Sequence, residues 1–518
     1  METAQQFDYI IAGGGAAGSV IARRLLDQSA ATVLLIEAGG PDDRDDVRVV
    51  DVPSVTSLWG GEDVCSQYRT VPQRGLHGRE ITIAQGKVIG GGTSVNAMIY
   101  VRGNRRDFDH WNQLGNVGWG YDDIVPYFKR AESYPDGDPK YRGLDGPLSI
   151  KDLSAPSEVS AAFLRAAKEL GFRTEEFDYN GPRQEGGAFY YQSTRTTDNR
   201  RCSTATAYLH PVLNHPRLTV VTGARAARVA LRAGRAVGLE YLRDGRLVTV
   251  AAASEVILCC GAFCTPQVLM LSGIGPAAQL REHGLHPVVH LPGVGRNLQD
   301  HLLFGVGWEC RSEQSPPELL AEAGLFTRSR GGLGAASPDL QFFFGPVQFL
   351  APQYQTDGPG FTFAPILAKP QSRGQVTLRS ADPVDPPVVD PHYLEASPDA
   401  DVLIAGIELA RELVRASAFD GLRGRELAPG VALTSRADLE AYVREQASTV
   451  WHPAGTCQMG YSPDAVVDAQ LRVHGIEALR VADSSVMPVI TAGNTQAAVI
   501  AIAERAADLI LADSGGTP

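Results

Sequence analysis

The sequence predicts a mixed α/β fold that begins with a Rossmann-like unit. The first forty residues contain an apolar strand (FDYIIA), a glycine-rich turn (GGGAAG), a helical segment (SVIARRLLDQ) and a second strand (TVLLIEA). A strand, a helix and a strand in this order predict a parallel βαβ crossover. Short alternating segments between 217 and 260 add further strands, and the C-terminal TQAAVIAIAERAADLILA predicts a largely buried helix.

The remaining elements are predicted from turn signals and periodicity. Residues 156–171 have the apolar spacing of a helix, and Asp244-Gly245 predicts a hairpin turn between two strands. Residues 311–338 mix Pro, Ser and Gly, which predicts a mobile surface segment with one short helical piece. The apolar, aromatic segments LQFFFGPVQFL and GFTFAPILA predict strands that could wall a pocket.

The composition is that of a large globular protein. The 518 residues are 44% hydrophobic and 20% charged, with a net charge of −12, which excludes fibrous and disordered classes. No block of Lys and Arg occurs, so nucleic-acid binding is not expected. Seven cysteines without a CxxC pair predict reduced thiols. We find no export signal and no apolar run that could span a bilayer, and therefore expect a cytoplasmic protein without an integral membrane segment.

The glycine-rich turn after the first strand carries a dinucleotide-binding pattern. Gly13, Gly15 and Gly18 form GxGxxG between the strand and the helix. The first glycine permits the tight turn, the second lets the backbone approach a pyrophosphate, and the third allows close helix packing. Glu37 ends the second strand, where its carboxylate can accept hydrogen bonds from a ribose. The pattern predicts a dinucleotide cofactor but does not distinguish NAD from FAD.

Two later segments resemble the signatures of the glucose-methanol-choline (GMC) oxidoreductases. GKVIGGGTSVN, at residues 86–96, is similar to the first signature, and GAFCTPQVLMLSGIG, at 261–275, is similar to the second. The resemblance extends along the chain, through HPAGTCQMG to TAGNTQ. It implies an FAD-dependent enzyme that acts on CH-OH donors. Covalent members of the family have a flavin-linking histidine where this chain has Val95, so we expect FAD to be bound without a covalent link.

The resemblance also implies two interleaved units. A discontinuous FAD-binding domain would comprise residues 1-155, 196-298 and 455-518. A substrate-binding domain, built on an antiparallel sheet with helices, would comprise 156-195 and 299-454. The residues that the glycine pattern and the resemblance assign to the cofactor are Gly13, Gly15, Ala17, Gly18, Glu37, Ala38, Trp59, Gly86, Gly91, Gly92, Thr93, Asn96, Ala97, Met98, Val229, Gly261, Asp483, Ser484, Asn494 and Thr495.

The catalytic pair implied by the resemblance is His452, in the WHPAGTC segment, and Asn494, in TAGNTQ. An imidazole can accept a hydroxyl proton near neutral pH, since its unperturbed pKa is about 6.5. The expected reaction is proton abstraction at His452 with hydride transfer from the carbinol carbon to the flavin. Oxygen or a quinone-like acceptor would then reoxidise the flavin, and the sequence does not separate the two.

The substrate prediction rests on aromatic residues. Trp451 precedes the proposed base and Phe343 lies in an aromatic run, so both are predicted to line the substrate pocket. The Trp-His pair followed by Asn resembles bacterial oxidases of 5-hydroxymethylfurfural and related aryl alcohols, which favours aromatic or furanic primary alcohols. Choline, longer aliphatic alcohols, sugars and pyridoxine-like alcohols remain alternative substrates. An FAD-containing hydroxynitrile lyase and a non-catalytic flavoprotein remain alternative functions. A monomer or small homo-oligomer is expected.

The other histidines receive lesser roles. His283, His286 and His290 lie close in sequence, but Gly284 and Pro287 interrupt any helix that would align them, so no metal site is expected. His301, in the NLQDH segment, is predicted to be structural or to lie near the rim of the pocket.

Overall fold

The fold is built on two sheets that together position one large cavity. The computed structural model describes residues 5–175, 177–332, 334 and 336–514. The first sheet has seven strands in its described part. Six of them are, in spatial order, Ala224–Arg232, Arg235–Arg243, Arg246–Leu258, Gln6–Ala12, Val33–Ile36 and Leu218–Val221. Leu479–Val481 pairs in parallel with Arg246–Leu258.

The second sheet is antiparallel and has eight strands in the described residues. Its main path runs through Arg423–Ala428, Val306–Cys310, Gly360–Leu367, Leu340–Gly345, Ala323–Thr327 and Gly187–Tyr190. Leu302–Leu303 joins Gly360–Leu367 to Ser448–Thr449. All of these strands fall within the residues that the sequence assigns to the substrate side, and those of the first sheet fall on the cofactor side. The division into two domains nevertheless stays a prediction.

Shorter strands and the helices surround these sheets. The short pairings are Ile274–Gly275 with Val289–His290, Cys65–Arg69 with Thr82–Gly86, Gly374–Thr377 between Arg296–Leu298 and Val388–Asp390, and Leu148–Lys151 between Glu132–Ser133 and Ser193–Thr194. The α-helices of the described residues are Ala16–Gln28, Asp45–Arg48, Val52–Leu58, Arg105–Gln113, Tyr121–Ala131, Glu158–Glu169, Gly261–Leu271, Ala277–Glu282, Ser397–Arg415, Arg436–Gln446 and Gln496–Asp513. None of these helices combines the length and hydrophobicity needed to cross a membrane.

Several predicted elements are confirmed. Gln6–Ala12 pairs in parallel with Val33–Ile36 across the first helix, as the βαβ pattern requires. Asp244 and Gly245 both have positive φ, 51° and 71°, which is the geometry of a tight hairpin turn. The helix predicted over 156–171 spans Glu158–Glu169.

The prediction for residues 311–338 is wrong over its central part. Where a surface segment with a short helix was expected, the structure has the strand Ala323–Thr327, whose Ala323, Leu325 and Phe326 are fully buried. The strand is held between Gly187–Tyr190 and Leu340–Gly345. Cross-strand pairing therefore overrides the helical preference of the Ala, Glu and Leu that precede it. Residues 333 and 335 of this segment lie outside the described residues.

One buried carboxylate ties the C-terminal helix to the helices around it. Glu504 is fully buried and accepts a bidentate pair of hydrogen bonds from Arg24, at 2.7 and 2.8 Å. It also accepts from Arg130 Nε at 2.7 Å and from the Tyr208 hydroxyl at 2.8 Å. Four hydrogen bonds to one carboxylate compensate for its burial.

We predict that Glu504→Gln lowers the free energy of unfolding by about 3 kcal/mol or more, because it leaves the Arg24 guanidinium without its buried counter-charge and removes one of the two carboxylates that Arg130 contacts. Urea denaturation followed by circular dichroism would measure the change. Asp508→Asn, which removes a half-buried partner of Arg130, serves as the control and should cost less than about 1 kcal/mol. Equal, small effects of the two variants would contradict this role of Glu504.

Candidate active site

The predicted site residues surround a cavity of about 600 Å³. One wall is made by the glycine turns at 13–17 and 86–98, with segments at 224–226, 259–268 and 483–499. The opposite wall comes from residues 303–364 and 442–453, which belong to the antiparallel sheet and the segments next to it. The cavity thus lies between the segments that carry the predicted cofactor residues and the segments that carry His452 and the predicted substrate-pocket residues.

The first glycine turn brings the backbone close to its neighbours. Gly13 has a φ of +103°, and a Cβ at this position would overlap the carbonyl of Cys259. Gly15 precedes the helix Ala16–Gln28 and offers no side-chain cap, so amide groups at the helix N-terminus remain available to an anion in the cavity. Gly18 lies inside the helix, where a Cβ would overlap the carbonyl of Gly13. Gly18 therefore packs the turn and does not line the cavity.

Glu37 is held rigidly at the edge of the cavity. Its two carboxylate oxygens accept hydrogen bonds from the amides of Gly14 and Gly39, each at 2.8 Å. Burial raises the pKa of Glu37 to about 7. The backbone amides thus fix the orientation of the carboxyl group, which remains at the cavity wall.

The second glycine turn is packed directly against the first. The amide of Gly90 donates to the carbonyl of Gly14 at 2.8 Å. Gly91 has a φ of +54°, and a Cβ there would lie 2.8 Å from the Cα of Gly15. A Cβ at Gly92, in contrast, would meet no atom of the described chain within 4 Å. Main-chain groups of both turns therefore reach the cavity without side chains in the way, which is what a dinucleotide requires.

The structure brings most predicted cofactor residues to this cavity. Gly18 and Val229 do not line it; Val229 is buried in the strand Ala224–Arg232, where its amide donates to the Ser272 hydroxyl at 2.8 Å. The predicted cofactor residues that do line the cavity are Gly13, Gly15, Ala17, Glu37, Ala38, Trp59, Gly86, Gly91, Gly92, Thr93, Asn96, Ala97, Met98, Gly261, Asp483, Ser484, Asn494 and Thr495.

The predicted catalytic pair lies together at the cavity. His452 Nε2 and Asn494 Nδ2 are 3.4 Å apart, although 42 positions separate them in the sequence. On its other side, His452 Nδ1 lies 3.0 Å from His301 Nδ1. His301 Nε2 in turn lies 3.1 Å from the carbonyl oxygen of Ala368.

This chain of contacts determines which ring nitrogens carry hydrogen. A carbonyl oxygen only accepts, so His301 Nε2 must donate to Ala368, and His301 Nδ1 is then an acceptor. His452 Nδ1 consequently donates to it, and His452 Nε2 is left with its lone pair directed toward Asn494 Nδ2. Burial lowers the pKa of His452 to about 4 and the pKa of His301 well below its usual range, which favours neutral rings. His452 is thus a neutral base facing the cavity.

Asp300 supports the backbone that carries the base. Its carboxylate accepts from the amide of His452 at 2.9 Å, from the Tyr393 hydroxyl at 2.6 Å and from the Thr449 hydroxyl. Trp451 has a φ of +61°, an unusual value for a bulky residue, and its amide donates to the Thr449 hydroxyl at 2.7 Å. Burial raises the pKa of Asp300 to about 6. These hydrogen bonds hold the strained backbone beside His452 in place.

Gln341 orients the amide of Asn494. The Tyr191 hydroxyl donates to the carbonyl of Phe342 at 2.8 Å and accepts from Gln341 Nε2 at 2.9 Å. The same nitrogen is 3.4 Å from Asn494 Oδ1. With Oδ1 facing a donor, Asn494 presents its own Nδ2 hydrogens toward His452 Nε2 and the cavity.

Aromatic side chains line the wall beside the base. Trp451 and Trp59 pack with ring centroids 4.6 Å apart and an interplanar angle of 57°. The Trp59 Nε1–H donates to the carbonyl of Val95 at 2.9 Å, which fixes the indole against the second glycine turn. Phe343 also lines the cavity. Both predicted substrate-pocket residues thus lie at the wall that carries His452.

Three residues that organise the site were missed at the level of sequence. Gln341 was given no role, and in the NLQDH segment only His301 was, as a structural residue or one near the rim of the pocket. The structure buries His301 completely, in contact with His452. The NLQDH segment was the available signal, because an acid and a histidine adjacent in a strand-like segment can both serve a base elsewhere in the chain.

Comparisons with known proteins agree with this architecture. Residues 7–303 and 370–503 match the N-terminal and C-terminal family profiles described as GMC oxidoreductase. An uncharacterized GMC-type oxidoreductase of Mycobacterium tuberculosis is 41% identical over 98% of this chain and 99% of its own length. Oxygen-dependent choline dehydrogenase of Brucella anthropi is 39% identical, over 87% of this chain and 85% of its own. The crystal structure of pyridoxine 4-oxidase from Mesorbium loti superposes with a TM-score of 0.90 at 34% identity, covering 97% of this chain and 98% of that one.

We predict that Gly91→Ala abolishes dinucleotide binding, because a Cβ would force the two glycine turns apart where they are in backbone contact. The ratio of bound cofactor to protein after purification measures the effect. Gly40→Ala is the control, since a Cβ there meets nothing within 4 Å, and it should retain full cofactor content. A Gly91→Ala protein with wild-type cofactor content would contradict the assigned contact.

Proposed function

The chain belongs to the GMC oxidoreductase family, whose members are FAD-dependent enzymes acting on alcohols, and from this premise we propose that it oxidises an aromatic or furanic primary alcohol to the aldehyde. The observation that carries the proposal is the position of His452. Its neutral ring directs an Nε2 lone pair into the cavity, next to the Nδ2 hydrogens of Asn494. One proton acceptor and one hydrogen-bond donor together are what an alcohol hydroxyl requires.

FAD fits the wall of the cavity that the glycine turns form. The close approach of Gly15 and Gly91, and the open space at Gly92, leave room for a large planar group and a pyrophosphate against bare backbone. Glu37 would hold the ribose, and the N-terminus of Ala16–Gln28 the pyrophosphate. We assign residues 1-155, 196-298 and 455-518 to this cofactor unit. When bound, FAD supplies an acceptor for two electrons.

The protein groups have separate tasks in the proposed reaction. His452 Nε2 takes the hydroxyl proton, and its Nδ1–H bond to His301 steadies the ring as the positive charge develops. Asn494 Nδ2 donates to the alcohol oxygen and stabilises its growing negative charge. Asp300 keeps the backbone of His452 in place while this happens. The apolar wall excludes water, which strengthens each of these interactions.

An aromatic substrate suits the wall beside His452. Trp451 and Phe343 offer flat apolar surfaces for a ring, with His452 at the position where a hydroxymethyl group would end. Pyridoxine, the compound after which the structurally similar oxidase is named, is itself an alcohol borne on an aromatic ring. This similarity supports a ring-bearing primary alcohol for the present chain.

We predict that His452→Ala slows anaerobic flavin reduction by benzyl alcohol about 100-fold or more, the usual effect of removing a general base. Stopped-flow absorbance of the flavin measures the rate. His290→Ala, at an exposed position outside the cavity, is the matched control and should be unaffected. Unchanged reduction in His452→Ala would remove this residue from the mechanism. A wild-type flavin that stays oxidised while a cyanohydrin is cleaved would identify a hydroxynitrile lyase instead.

The rate constant of flavin reduction should fall only at an unusually low pH. Burial lowers the pKa of His452 to about 4, so the ring remains an unprotonated base as the pH falls well below about 6.5, the usual histidine value. The rate constant should be constant from neutral pH to near pH 5 and should fall only as the pH approaches the pKa of about 4. Stopped-flow reduction across buffers of constant ionic strength tests this. An acid limb centred at pH 6 or above would be inconsistent with a buried, neutral His452.

We further predict that FAD is bound without a covalent link, because Val95 has no nucleophilic atom. Acid precipitation of the purified holoenzyme should leave all flavin absorbance in the supernatant. Flavin fluorescence that stays with the protein band in a denaturing gel would show a covalent link through another residue.

A further inference from the structure

The cavity has a marked asymmetry in charge between its two walls. Among the described residues that line it, the carboxylates are Glu37 and Asp483. Both follow strands of the first sheet, Val33–Ile36 and Leu479–Val481. On the opposite wall, made by residues 303–364 and 442–453, no described residue that lines the cavity is an aspartate or glutamate. None of them is an arginine or lysine either. His452 is the histidine on this wall.

The two lining carboxylates are already engaged by the protein. Glu37 accepts from two backbone amides of the first glycine region. Asp483 accepts from the amides of Gly261 and Ser485, each at 2.8 Å, and from the Thr265 hydroxyl at 2.6 Å. Neither carboxylate contributes to the lowered pKa of His452, which has burial as its cause. Asp300, whose carboxylate contacts the His452 amide, does not line the cavity, and its oxygens also accept from the Tyr393 and Thr449 hydroxyls. No carboxylate of the described lining is therefore free to pair with a charged substrate beside the base.

Three hydroxyl groups of this wall are bonded within the protein, and Ser448 and Gln446 add uncharged polar side chains to the lining. Tyr442 donates to the carbonyl of Gly305 at 2.7 Å, and Thr362 donates to the carbonyl of Val347 at 2.7 Å. Thr449 donates to Asp300. A substrate thus meets a wall without charged side chains in its described lining, with His452 and Asn494 as the polar pair that faces its hydroxyl group.

A charged substrate would lose its hydration here without a compensating ion pair. Removing an unpaired cation from water is costly, and contact with aromatic faces recovers only part of that cost. Trp59 and Trp451 pack directly on each other, with ring centroids 4.6 Å apart, so no trialkylammonium group fits between them. An uncharged alcohol gives up only the hydration of its hydroxyl group, which His452 and Asn494 replace.

We infer that the site selects uncharged alcohols and rejects cationic ones such as choline, a selectivity that rests on the alcohol oxidation proposed above. Under this inference the chain differs in substrate charge from the choline dehydrogenases with which it shares 39% identity. Anionic alcohols are rejected for the same reason, since no arginine or lysine is present on the wall beside His452 in the described lining.

The first test compares two alcohols of the same shape that differ in charge. In choline a quaternary nitrogen stands where 3,3-dimethylbutan-1-ol has a quaternary carbon. Anaerobic flavin reduction of the holoenzyme, followed over a range of alcohol concentrations, gives an apparent dissociation constant for each. We expect the neutral alcohol to bind at least 10-fold more tightly. Equal or tighter binding of choline would overturn the inference.

A second test does not depend on turnover. Benzamide and benzamidinium have nearly the same shape, and only the second is charged. Calorimetric titration of the holoenzyme should give at least 10-fold tighter binding of benzamide, and equal affinities would overturn the inference. If neither benzyl alcohol nor any other alcohol reduces the flavin, the proposed function fails, whereas this titration still tests charge selection.

A pair of variants tests whether the missing carboxylate is the cause. Phe343→Glu places a negative charge on the cavity wall, and Phe343→Gln places an uncharged side chain of the same size there. The Glu variant should bind benzamidinium at least 10-fold more tightly than the Gln variant does. Equal binding of benzamidinium by the two variants would contradict the electrostatic explanation.

Discussion

The carbonyl oxygen of Ala368 sets the arrangement of protons on which the site depends. Because it accepts from His301 Nε2, the other nitrogen of His301 must accept from His452. A carbonyl that lies away from the cavity thereby decides that His452 presents a lone pair, and not a hydrogen, at Nε2. A second sequence of hydrogen bonds, from Tyr191 through Gln341, decides which end of the Asn494 amide faces the same point.

The backbone geometry is under equal constraint. Trp451 has a conformation that bulky residues rarely adopt, and Asp300 and Thr449 hold it through their side chains. On the opposite wall, Gly91 lies so close to Gly15 that a Cβ on Gly91 would come within 2.8 Å of the Gly15 Cα. One wall is therefore specialised for main-chain contact with a large cofactor, and the other for fixed placement of a single base in apolar surroundings.

The sequence predicted those parts of the structure whose determinants are local. The glycine turn at Gly13, the parallel βαβ unit and the hairpin at Asp244-Gly245 depend on residues within a few positions of one another, and all three are present. The contacts of His452 with His301 and of Asn494 with Gln341 join residues 151 and 153 positions apart. The pairing of Leu302–Leu303 with Ser448–Thr449 brings His301 to His452, and the segment before the C-terminal helix brings Asn494 to Gln341. Both contacts are long-range, which is why no local pattern revealed them.

The tautomers of the two histidines can be measured directly. Nitrogen-15 NMR of the holoenzyme with labelled imidazole rings, assigned by comparison with the His301→Gln and His452→Gln variants, distinguishes protonated from unprotonated ring nitrogens at pH 7. We expect His452 to carry its hydrogen on Nδ1 and His301 to carry its hydrogen on Nε2. A His452 that is protonated on Nε2, or on both nitrogens, would contradict the proton arrangement on which the proposed base depends.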